Sequence, residues 1–522
     1  MGALAGGIMI ARQTRCVLTP LLLAVLVFAA GLASAEEEPA PASGATGAPE
    51  PPAAAGNPWE VPEEGSCNPR GGPIGLTVRE DVTAVPFETG DTFEMGRLQI
   101  LRDYLPEFLW QERERFFYEG MRLEIGPCFR DYSAPAFFQD ATEQNVGKAR
   151  IDENRGLVDY GAGLPFRPAD IAIDDPQAGL KWFWNVQQRY QAAGFNGKFR
   201  LTDLLGRIGR AEPFAGEMFK IILSHRADRP ETGYETPSAN DNHWVAGGLF
   251  FEPFNARENA WRQYRNVDNM TEARRSDDLH AYLPQWRRVR RINANQVEGL
   301  YMPSFSVGVV PNQQIAVGGG GGDAGGMAAG IGAGGLGGTI QTKRSGYEGL
   351  EFRPNLYEAR VAGLHDVLVP INIAAPVYPE DEDRSFGPWG LSFASDRWDL
   401  RRALVLENTL DADIGSDDVS QTLLYVDLQT LQPLYLATFD SKGEMTNVGM
   451  YAGHWSEDSE DYPRWPDDED RPVRVLDSVA ASFANLAMNG SWRRESWDNV
   501  STPPPDRTVK RMISTGELTK RR

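Results

Sequence analysis

The chain has 522 residues, with 52 Lys and Arg against 73 Asp and Glu, and its formal net charge is −21. So acidic a chain argues against a nucleic-acid-binding protein, because such proteins need a basic surface to neutralise phosphates. Its 41% hydrophobic and 24% charged residues are typical of a globular protein. The 10% aromatic residues favour β-sheets and apolar binding surfaces.

The N-terminus has the pattern of a secretory signal peptide. Two arginines, Arg12 and Arg15, precede the apolar run 17–30, and an Ala-Ser-Ala triplet ends at Ala35. A membrane anchor is the alternative, but about 14 apolar residues fall short of the ~20 that cross a bilayer. We therefore expect residues 1–35 to be removed on export, which changes the net charge from −21 to −23.

Two cysteines remain after removal of the leader, Cys67 and Cys128. In an oxidising compartment, two cysteines are more typical of a disulfide than of a reactive thiol or a metal site, which usually needs three or four ligands. We expect a structural disulfide between them.

Two segments lack large side chains. Residues 36–57 are mostly Ala, Pro, Gly and Glu, which predicts a disordered tether. Residues 317–338 are almost entirely Gly and Ala, which predicts a disordered insertion because nothing there can be buried. Residues 58–522 are expected to form a single domain that contains this insertion.

Three segments have helical patterns. Arg97–Glu119 has loosely helical apolar spacing, although Pro106 should kink or divide it. Gly179–Ala193 and Asp477–Met488 are the other two candidates.

The rest of the chain is strand-rich, with short apolar runs bounded by Gly, Pro, Asn or Asp. The predicted strands are Phe199–Arg207, Phe219–His225, Trp244–Phe251, Leu279–Val289, Leu404–Leu410, Gln421–Leu428 and Leu434–Asp440. The last three suggest an antiparallel meander. Consecutive strands without regular intervening helices favour a large antiparallel sheet with helices on one face. The acidic stretch Glu457–Asp470 is interpreted as a solvated loop, with calcium binding as the alternative.

Motifs for catalysis are few. Five histidines are scattered without an HExxH pattern, and neither a G-x-S-x-G elbow nor a phosphate-binding loop occurs. The best enzymatic candidate is the polar run Asn240–His243, which a turn before a strand explains equally well. We expect no cofactor, no metal and no catalytic residues.

One basic block stands out in this acidic chain, since residues 287–291 contain four arginines. On a strand, Arg288 and Arg290 would share one face. They could form a rim for an acidic head group, an anionic lipid or an acidic partner protein. Pairing with the surplus Asp and Glu of the chain is the alternative interpretation.

Several blocks in order along the chain resemble an uncharacterised family of Gram-negative envelope proteins, described as outer-membrane lipoprotein-sorting or LolB-like. The matching blocks are Tyr160–Phe166, Asp174–Gly179, Trp184-Asn185, Tyr282–Pro284 with the arginine block, Val361–Asn372, Tyr425–Thr430 and Phe439–Gly443. The resemblance implies an α+β fold in which a large, strongly curved antiparallel sheet forms an open half-barrel packed on a few helices, with an apolar cavity. It also implies a periplasmic location and association with a resistance-nodulation-type exporter or an outer-membrane protein.

The leading hypothesis is a soluble periplasmic protein that binds a lipid or another hydrophobic molecule and contributes to its transport. Two alternatives stay open, a non-enzymatic scaffold that docks on an exporter or outer-membrane barrel, and a periplasmic hydrolase. The expected ligand-binding residues are Trp182, Trp184, Phe250, Trp286, Arg288 and Arg290.

Overall fold

A computed structural model describes residues 59–67, 85–205, 211–229, 241–254, 256–284, 287–292, 299–301, 351–373, 385–412, 419–466, 468–486 and 490–520. The signal peptide, the tether and the glycine-rich insertion expected from the sequence lie outside these residues. So does Trp286. These four interpretations stay predictions.

The described elements are nineteen strands, five short α-helices and several 3₁₀ segments. The strands are β1 Thr92–Phe93, β2 Leu123–Cys128, β3 Arg150–Ile151, β4 Leu157–Val158, β5 Gly194–Leu205, β6 Ala211–Ile222, β7 Asn242–Glu252, β8 Ala260–Asn266, β9 Asp278–Leu283, β10 Arg288–Ile292, β11 Tyr357–Val369, β12 Arg397–Leu410, β13 Gln421–Asp427, β14 Pro433–Phe439, β15 Met445–Trp455, β16 Arg464–Trp465, β17 Asp468–Pro472, β18 Leu476–Asn485 and β19 Gly490–Val500. The helices are α1 Glu107–Gln111, α2 Arg113–Phe116, α3 Ala136–Gln144, α4 Ala178–Gln187 and α5 Asp506–Met512, and the longest 3₁₀ segment is Met95–Tyr104.

Fifteen of these strands form one sheet, in the order β1-β2-β12-β13-β14-β15-β18-β19-β5-β6-β7-β8-β9-β10, with β11 also paired to β12. Neighbouring strands are antiparallel except for the parallel pair β2–β12. The sheet is not closed, since β1 and β10 end the path and do not pair with each other. The α+β fold with an open, half-barrel-like sheet is therefore confirmed. The predicted meander is confirmed as β12, β13 and β14.

Helical segments cover both faces of the strands β11–β15, not one face as the sequence suggested. On one face Val405 and Tyr425 pack with Phe108 of α1, whose ring centroid lies 5.6 Å from that of Tyr425. On the other face Leu404 packs with Phe183 of α4. Neighbouring residues of one strand thus enter different cores, because side chains alternate between the two faces of a sheet.

Helix α4 approaches β11 closely at Gly179. A Cβ atom there would lie 2.3 Å from the Ala359 carbonyl oxygen, so only glycine allows this contact. This requirement gives a physical reason for the glycine that ends the block Asp174–Gly179.

Two of the predicted helices differ from the structure. Residues Leu476–Asn485 form strand β18, so the prediction of a helix over Asp477–Met488 is wrong. The side chains on both faces of β18 are buried. The sequence of this strand therefore lacks the alternation of polar and apolar residues by which a strand is recognised. The segment Arg97–Glu119 is divided near Pro106 as expected, but its first part is a 3₁₀ helix.

The predicted strand Leu279–Val289 is two strands. Strands β9 and β10 pair in antiparallel register, with Tyr282 opposite Val289. Pro284 begins the connection between them, where a proline cannot continue the ladder.

The expected disulfide joins Cys67 to Cys128 at the end of β2, with a Cα–Cα distance of 5.3 Å. It closes a loop over a sequence separation of 61 residues. Chain-entropy arguments give a stabilisation of about 4 kcal/mol for such a loop.

The double variant Cys67→Ser/Cys128→Ser should therefore unfold at lower denaturant, with a free energy of unfolding smaller by about 4 kcal/mol. Equilibrium unfolding in guanidinium chloride measures this change. Adding a reductant should lower the midpoint of the parent protein and leave that of the variant where it is. An unchanged midpoint in the variant would show that the loop is already constrained without the bond.

Candidate functional site

The larger of two sizeable cavities lies between strands β6–β9 and the C-terminal segment 505–520; we call it the C-terminal cavity. Its volume is about 440 Å³. Its lining combines apolar with charged side chains, and one of the charged residues, Arg262, is buried. The residues that line it include Phe219, Leu249, Phe250, Phe251, Ala260, Tyr282, Met512 and Leu518, together with Glu217, Arg257, Glu258, Arg262, Glu517 and Lys520.

The sheet side of this cavity is set by strand register. Glu217 pairs with Leu249, Leu249 with Ala260, and Ala260 with Tyr282, so one row of side chains crosses β6, β7, β8 and β9. Residues paired across antiparallel strands lie on the same face. The small side chain of Ala260 in the middle of this row leaves space that a larger residue would fill.

The C-terminal segment is held over this row by side-chain bonds to its backbone. Arg262 Nε donates to the Met512 carbonyl oxygen at 2.6 Å, and the Tyr264 hydroxyl donates to the Ile513 carbonyl oxygen at 2.7 Å. Val509 and Ile513 enter an apolar cluster with residues of β6 and β7. These contacts make the segment one wall of the cavity.

The mouth of the cavity carries exposed aromatic side chains. Phe251, which lines the cavity, is 44% exposed, and Phe254 in the β7–β8 turn is 92% exposed. Arg257 and Glu258 of the same turn also line the cavity and are exposed. The site therefore combines an interior lined by apolar and some charged residues with a charged and aromatic entrance.

The second cavity, of about 260 Å³, lies beside α3 and the β13–β14 turn. Arg189 donates through Nε to Gln432 Oε1 at 2.6 Å, and the buried Tyr190 hydroxyl has no hydrogen-bond partner among the described residues. Tyr132 lines it too and donates to Asp399 Oδ2 at 2.5 Å. Burial raises the pKa of Asp399 to about 6, although this hydrogen bond opposes the shift.

A buried polar core surrounds Trp244 on the opposite face of β6–β8. Lys220 pairs with Glu351, and both residues are almost fully buried. Arg265 pairs with Asp277 through two bonds of 3.0 and 2.9 Å. Burial lowers the pKa of Lys220 to about 8, and the negative charge of Glu351 opposes this shift. Packed ion pairs thus occupy this region of the half-barrel.

The structure places the predicted site residues in different locations. Trp182 and Trp184 of α4 are buried in two separate clusters and line neither cavity. Phe250 is buried against Trp261 and lines the C-terminal cavity. Their roles in ligand binding stay predictions.

The two predicted rim arginines, Arg288 and Arg290, are exposed on β10. They share one face of this edge strand, as the alternation predicts, since they pair with Leu283 and Ala281 of β9. Their neighbour Tyr282 lines the C-terminal cavity. Arg288 and Arg290 thus lie on the face opposite to the row that lines the cavity, whereas Val289 between them pairs with Tyr282 of that row. The α4 tryptophans line neither cavity.

Sequence reasoning missed the C-terminal wall of the site. Val509, Met512 and Ile513 have the i, i+3, i+4 spacing of an amphipathic helix, and this signal could have found α5. Leu249 and Ala260 could not be assigned to a cavity, because their position depends on the pairing of three strands.

Three serine–histidine contacts, in two groups, bear on the hydrolase alternative. Ser224 Oγ lies 2.8 Å from His225 Nδ1 and 3.5 Å from His243 Nδ1, and Ser459 Oγ lies 2.9 Å from His454 Nε2. The first group borders a space of only about 40 Å³, and the second lines neither cavity. Among the described residues, no group of three or more His, Cys, Asp or Glu is placed to hold a metal ion. The space beside His225 and His243 is therefore too small for a lipid or glycan substrate.

The histidine pair should make stability depend on pH. Burial lowers the pKa of His225 to about 4, and it holds the pKa of His243 well below its ordinary value. The unfolded chain binds these protons near pH 6.5, so the free energy of unfolding should fall between pH 6.5 and 4, by about 3 kcal/mol for His225. Burial raises the pKa values of Asp399 and Asp477 to about 6. Their protonation in the folded protein therefore increases the free energy of unfolding as the pH falls, which opposes the effect of the histidines.

The variant His225→Asn isolates this contribution, because Asn tolerates the left-handed backbone at this position, where φ is 59°. Chemical unfolding of both proteins from pH 8 to 4 measures it. The parent's free energy of unfolding relative to that of the variant should be constant above pH 6.5 and should decrease by about 3 kcal/mol towards pH 4. Two parallel curves would contradict a neutral, buried His225.

Fold and site together define a half-barrel protein with an amphipathic cavity at one end of its sheet. The chain matches the family of proteins of unknown function DUF1329 over residues 102–305 and 344–470. These matched residues make up well over half of the chain and span both halves of the sheet. The chain therefore belongs to the DUF1329 family, and the resemblance found in its sequence is confirmed.

The similar solved structures come from bacteria. A domain from Vibrio parahaemolyticus, described as an outer membrane lipoprotein-sorting protein domain, is 13% identical; the match covers 66% of this chain and 100% of that one, with a TM-score of 0.37. A DUF1329 protein from Desulfovibrio piger is 11% identical, with coverages of 63% and 93% and a TM-score of 0.33. A LolA superfamily protein from Nitrosomonas europaea is 12% identical, with coverages of 62% and 92% and a TM-score of 0.28.

A search of curated proteins found no match. Within the described part of the chain, no helix has the length and apolar character needed to cross a membrane.

Proposed function

We propose that this protein is a periplasmic carrier that binds an amphipathic, lipid-like ligand in the C-terminal cavity. The observation that carries the proposal is the cavity of about 440 Å³ between the sheet and segment 505–520, whose lining is part apolar and part charged. A volume of this size falls in the range of small-molecule sites, roughly 300–1,000 Å³. The second cavity is smaller, at about 260 Å³, so it has less room for an alkyl chain.

The lining supports a ligand with an apolar tail. Phe219, Leu249 and Leu518 offer aliphatic and aromatic surface inside the cavity. Each buried methylene contributes about 0.8 kcal/mol, so about ten methylenes account for micromolar affinity before the costs of binding. A single short acyl or isoprenoid chain is therefore the expected class of ligand.

The entrance supports a ligand with a polar head. Arg257, Glu258 and Lys520 border the cavity, and Lys520 pairs with Glu517. A polar head group can stay hydrated among these side chains while its tail is buried. Such an arrangement favours an amphiphile over a purely apolar molecule.

The periplasmic location rests on the signal-peptide pattern and on the disulfide. A resistance-nodulation-type exporter or an outer-membrane protein remains the expected partner, as the family resemblance implies. Residues 58–522 are proposed to act as one domain. The scaffold and hydrolase alternatives would not require an occupied cavity, so ligand binding is the property to test.

Filling the C-terminal cavity should abolish binding. The variant Ala260→Phe places a ring in the middle of the lining row, and we expect the affinity for a fluorescent acyl probe to fall at least about tenfold. Titration of the probe with the purified mature protein measures the affinity.

The matched control is Ala134→Phe, the same change in the lining of the second cavity. It should leave probe affinity within about twofold of the parent, and thermal unfolding should show that both variants are folded. If Ala134→Phe abolished binding and Ala260→Phe did not, the ligand site would be the second cavity. Lack of probe binding by the parent protein, with no co-purified lipid in mass spectrometry, would refute the carrier function.

A bound ligand should also slow hydrogen exchange in the C-terminal segment. Helix α5 has 7 residues, too short to be stable alone, so its stability comes from packing on the sheet and it should open more easily than the strands. Hydrogen exchange with mass spectrometry, with and without the acyl probe, should show added protection in 506–519. Strands β12–β14 serve as the internal reference. Equal protection changes in both regions would contradict a ligand held under this segment.

A further inference from the structure

We propose that the end of the sheet beside the C-terminal cavity docks on a negatively charged lipid bilayer. The docking surface consists of Phe251, Phe254, Arg257, Arg287 and Arg288, and we call it the basic aromatic tip. This inference deepens the proposed function, on which it rests, by naming the surface from which the ligand is taken.

Strand register brings the two parts of the tip together. Ala260, at the start of β8, pairs with Tyr282 near the end of β9, and Tyr282 pairs with Val289 at the start of β10. The β7–β8 turn and the β9–β10 turn therefore lie side by side at one end of the sheet. Both adjoin the cavity mouth, since Phe251, Arg257 and Tyr282 line the cavity.

The two phenylalanines of the tip are exposed to solvent and not packed into the core. Phe254 is 92% exposed, more than any other large hydrophobic side chain in the described part of the chain. Phe251, three residues earlier, is 44% exposed. Large apolar side chains kept in water at the mouth of a cavity are typical of surfaces that enter an apolar environment.

The charged part of the tip is basic in an acidic protein. Arg257, Arg287 and Arg288 are exposed and form no ion pair with another described residue. The nearest acidic residues of the two turns are Glu252 and Glu258, both exposed. Cationic side chains next to exposed aromatic rings complement a surface that offers anionic head groups above an apolar layer.

The negative net charge of the protein favours one orientation of the protein on an anionic bilayer. With a net charge of −21, most of the surface is repelled by an anionic bilayer, and a basic end is the part that can approach it. Approach through this end would present the cavity mouth to the membrane. A ligand tail could then pass between bilayer and cavity without crossing much water.

A competing role for these arginines is protection of the sheet edge. Strand β10 ends the sheet, and charged side chains on edge strands prevent pairing with other chains. Replacing arginine by glutamate preserves this protection, because the new side chain is also charged. Charge reversal thus separates the two roles.

The experiment is co-sedimentation of the full mature protein with vesicles of phosphatidylglycerol or of phosphatidylcholine. The parent should bind phosphatidylglycerol vesicles, and salt should weaken binding. The variant Arg287→Glu/Arg288→Glu should bind at least about thirtyfold more weakly. Phe254→Ser should bind about tenfold more weakly, because one ring no longer inserts.

Matched controls lie elsewhere on the surface. Arg122→Glu reverses an exposed arginine and Ile173→Ser removes a large hydrophobic side chain that is 48% exposed, and both should bind vesicles like the parent. Thermal unfolding should show that all variants are folded.

The outcomes separate this proposal from the proposed function. Tip variants should keep the parent's affinity for a soluble acyl probe, since the cavity lining stays intact. Vesicle binding without probe binding would support the docking surface and refute the carrier. Probe binding with no vesicle binding by the parent, or with tip variants indistinguishable from it, would overturn the docking surface and point to an acidic protein partner instead.

Discussion

The pairing of β19 with β5 is the contact on which the rest of the molecule depends. It aligns residues Gly490–Val500 with Asn196–Leu205 in antiparallel register. Without it the strands β5–β10 and the strands β11–β18 would be two separate sheets. Because β19 precedes the C-terminal segment, the same pairing delivers α5 to the face of β6 and β7, where it closes the cavity.

The buried ion pairs then fix β6 and α4 relative to each other. Lys220 of β6 reaches Glu351, and Gln187 at the end of α4 donates to the same carboxylate at 2.9 Å. Removing one partner of a buried pair is far more costly than removing both, because a lone buried charge is left unsolvated. Such groups add little net stability, but they allow one arrangement of helix and sheet. We regard them as the reason that this interior is packed and the cavity lies at the other face.

Local patterns predicted more of the fold than of the site. The meander β12–β14, the disulfide and the shared face of Arg288 and Arg290 all follow from short stretches of sequence. Strand β18 did not, because burial on both faces removes its alternation. Tryptophans such as Trp182 were expected near a ligand on residue type alone, whereas their burial in helix packing depends on contacts between distant elements.

The cavity, too, depends on contacts between distant residues more than on local sequence patterns. Phe250 could be associated with it, but the space itself exists because Ala260 lies opposite Leu249 and because Arg262 holds the backbone at Met512. These relations join residues up to 250 positions apart. No pattern within one segment contains them.

The order in which the chain is made has a consequence for its folding. Strands β5 and β19 are about 300 residues apart, so the edge of β5 is synthesised long before its partner. Until β19 arrives, that edge offers unpaired backbone groups to any neighbouring chain. Folding should therefore be slow and completed only after the whole chain has been synthesised. Truncation near the C-terminus would remove the pairing of β19 with β5 together with one wall of the C-terminal cavity.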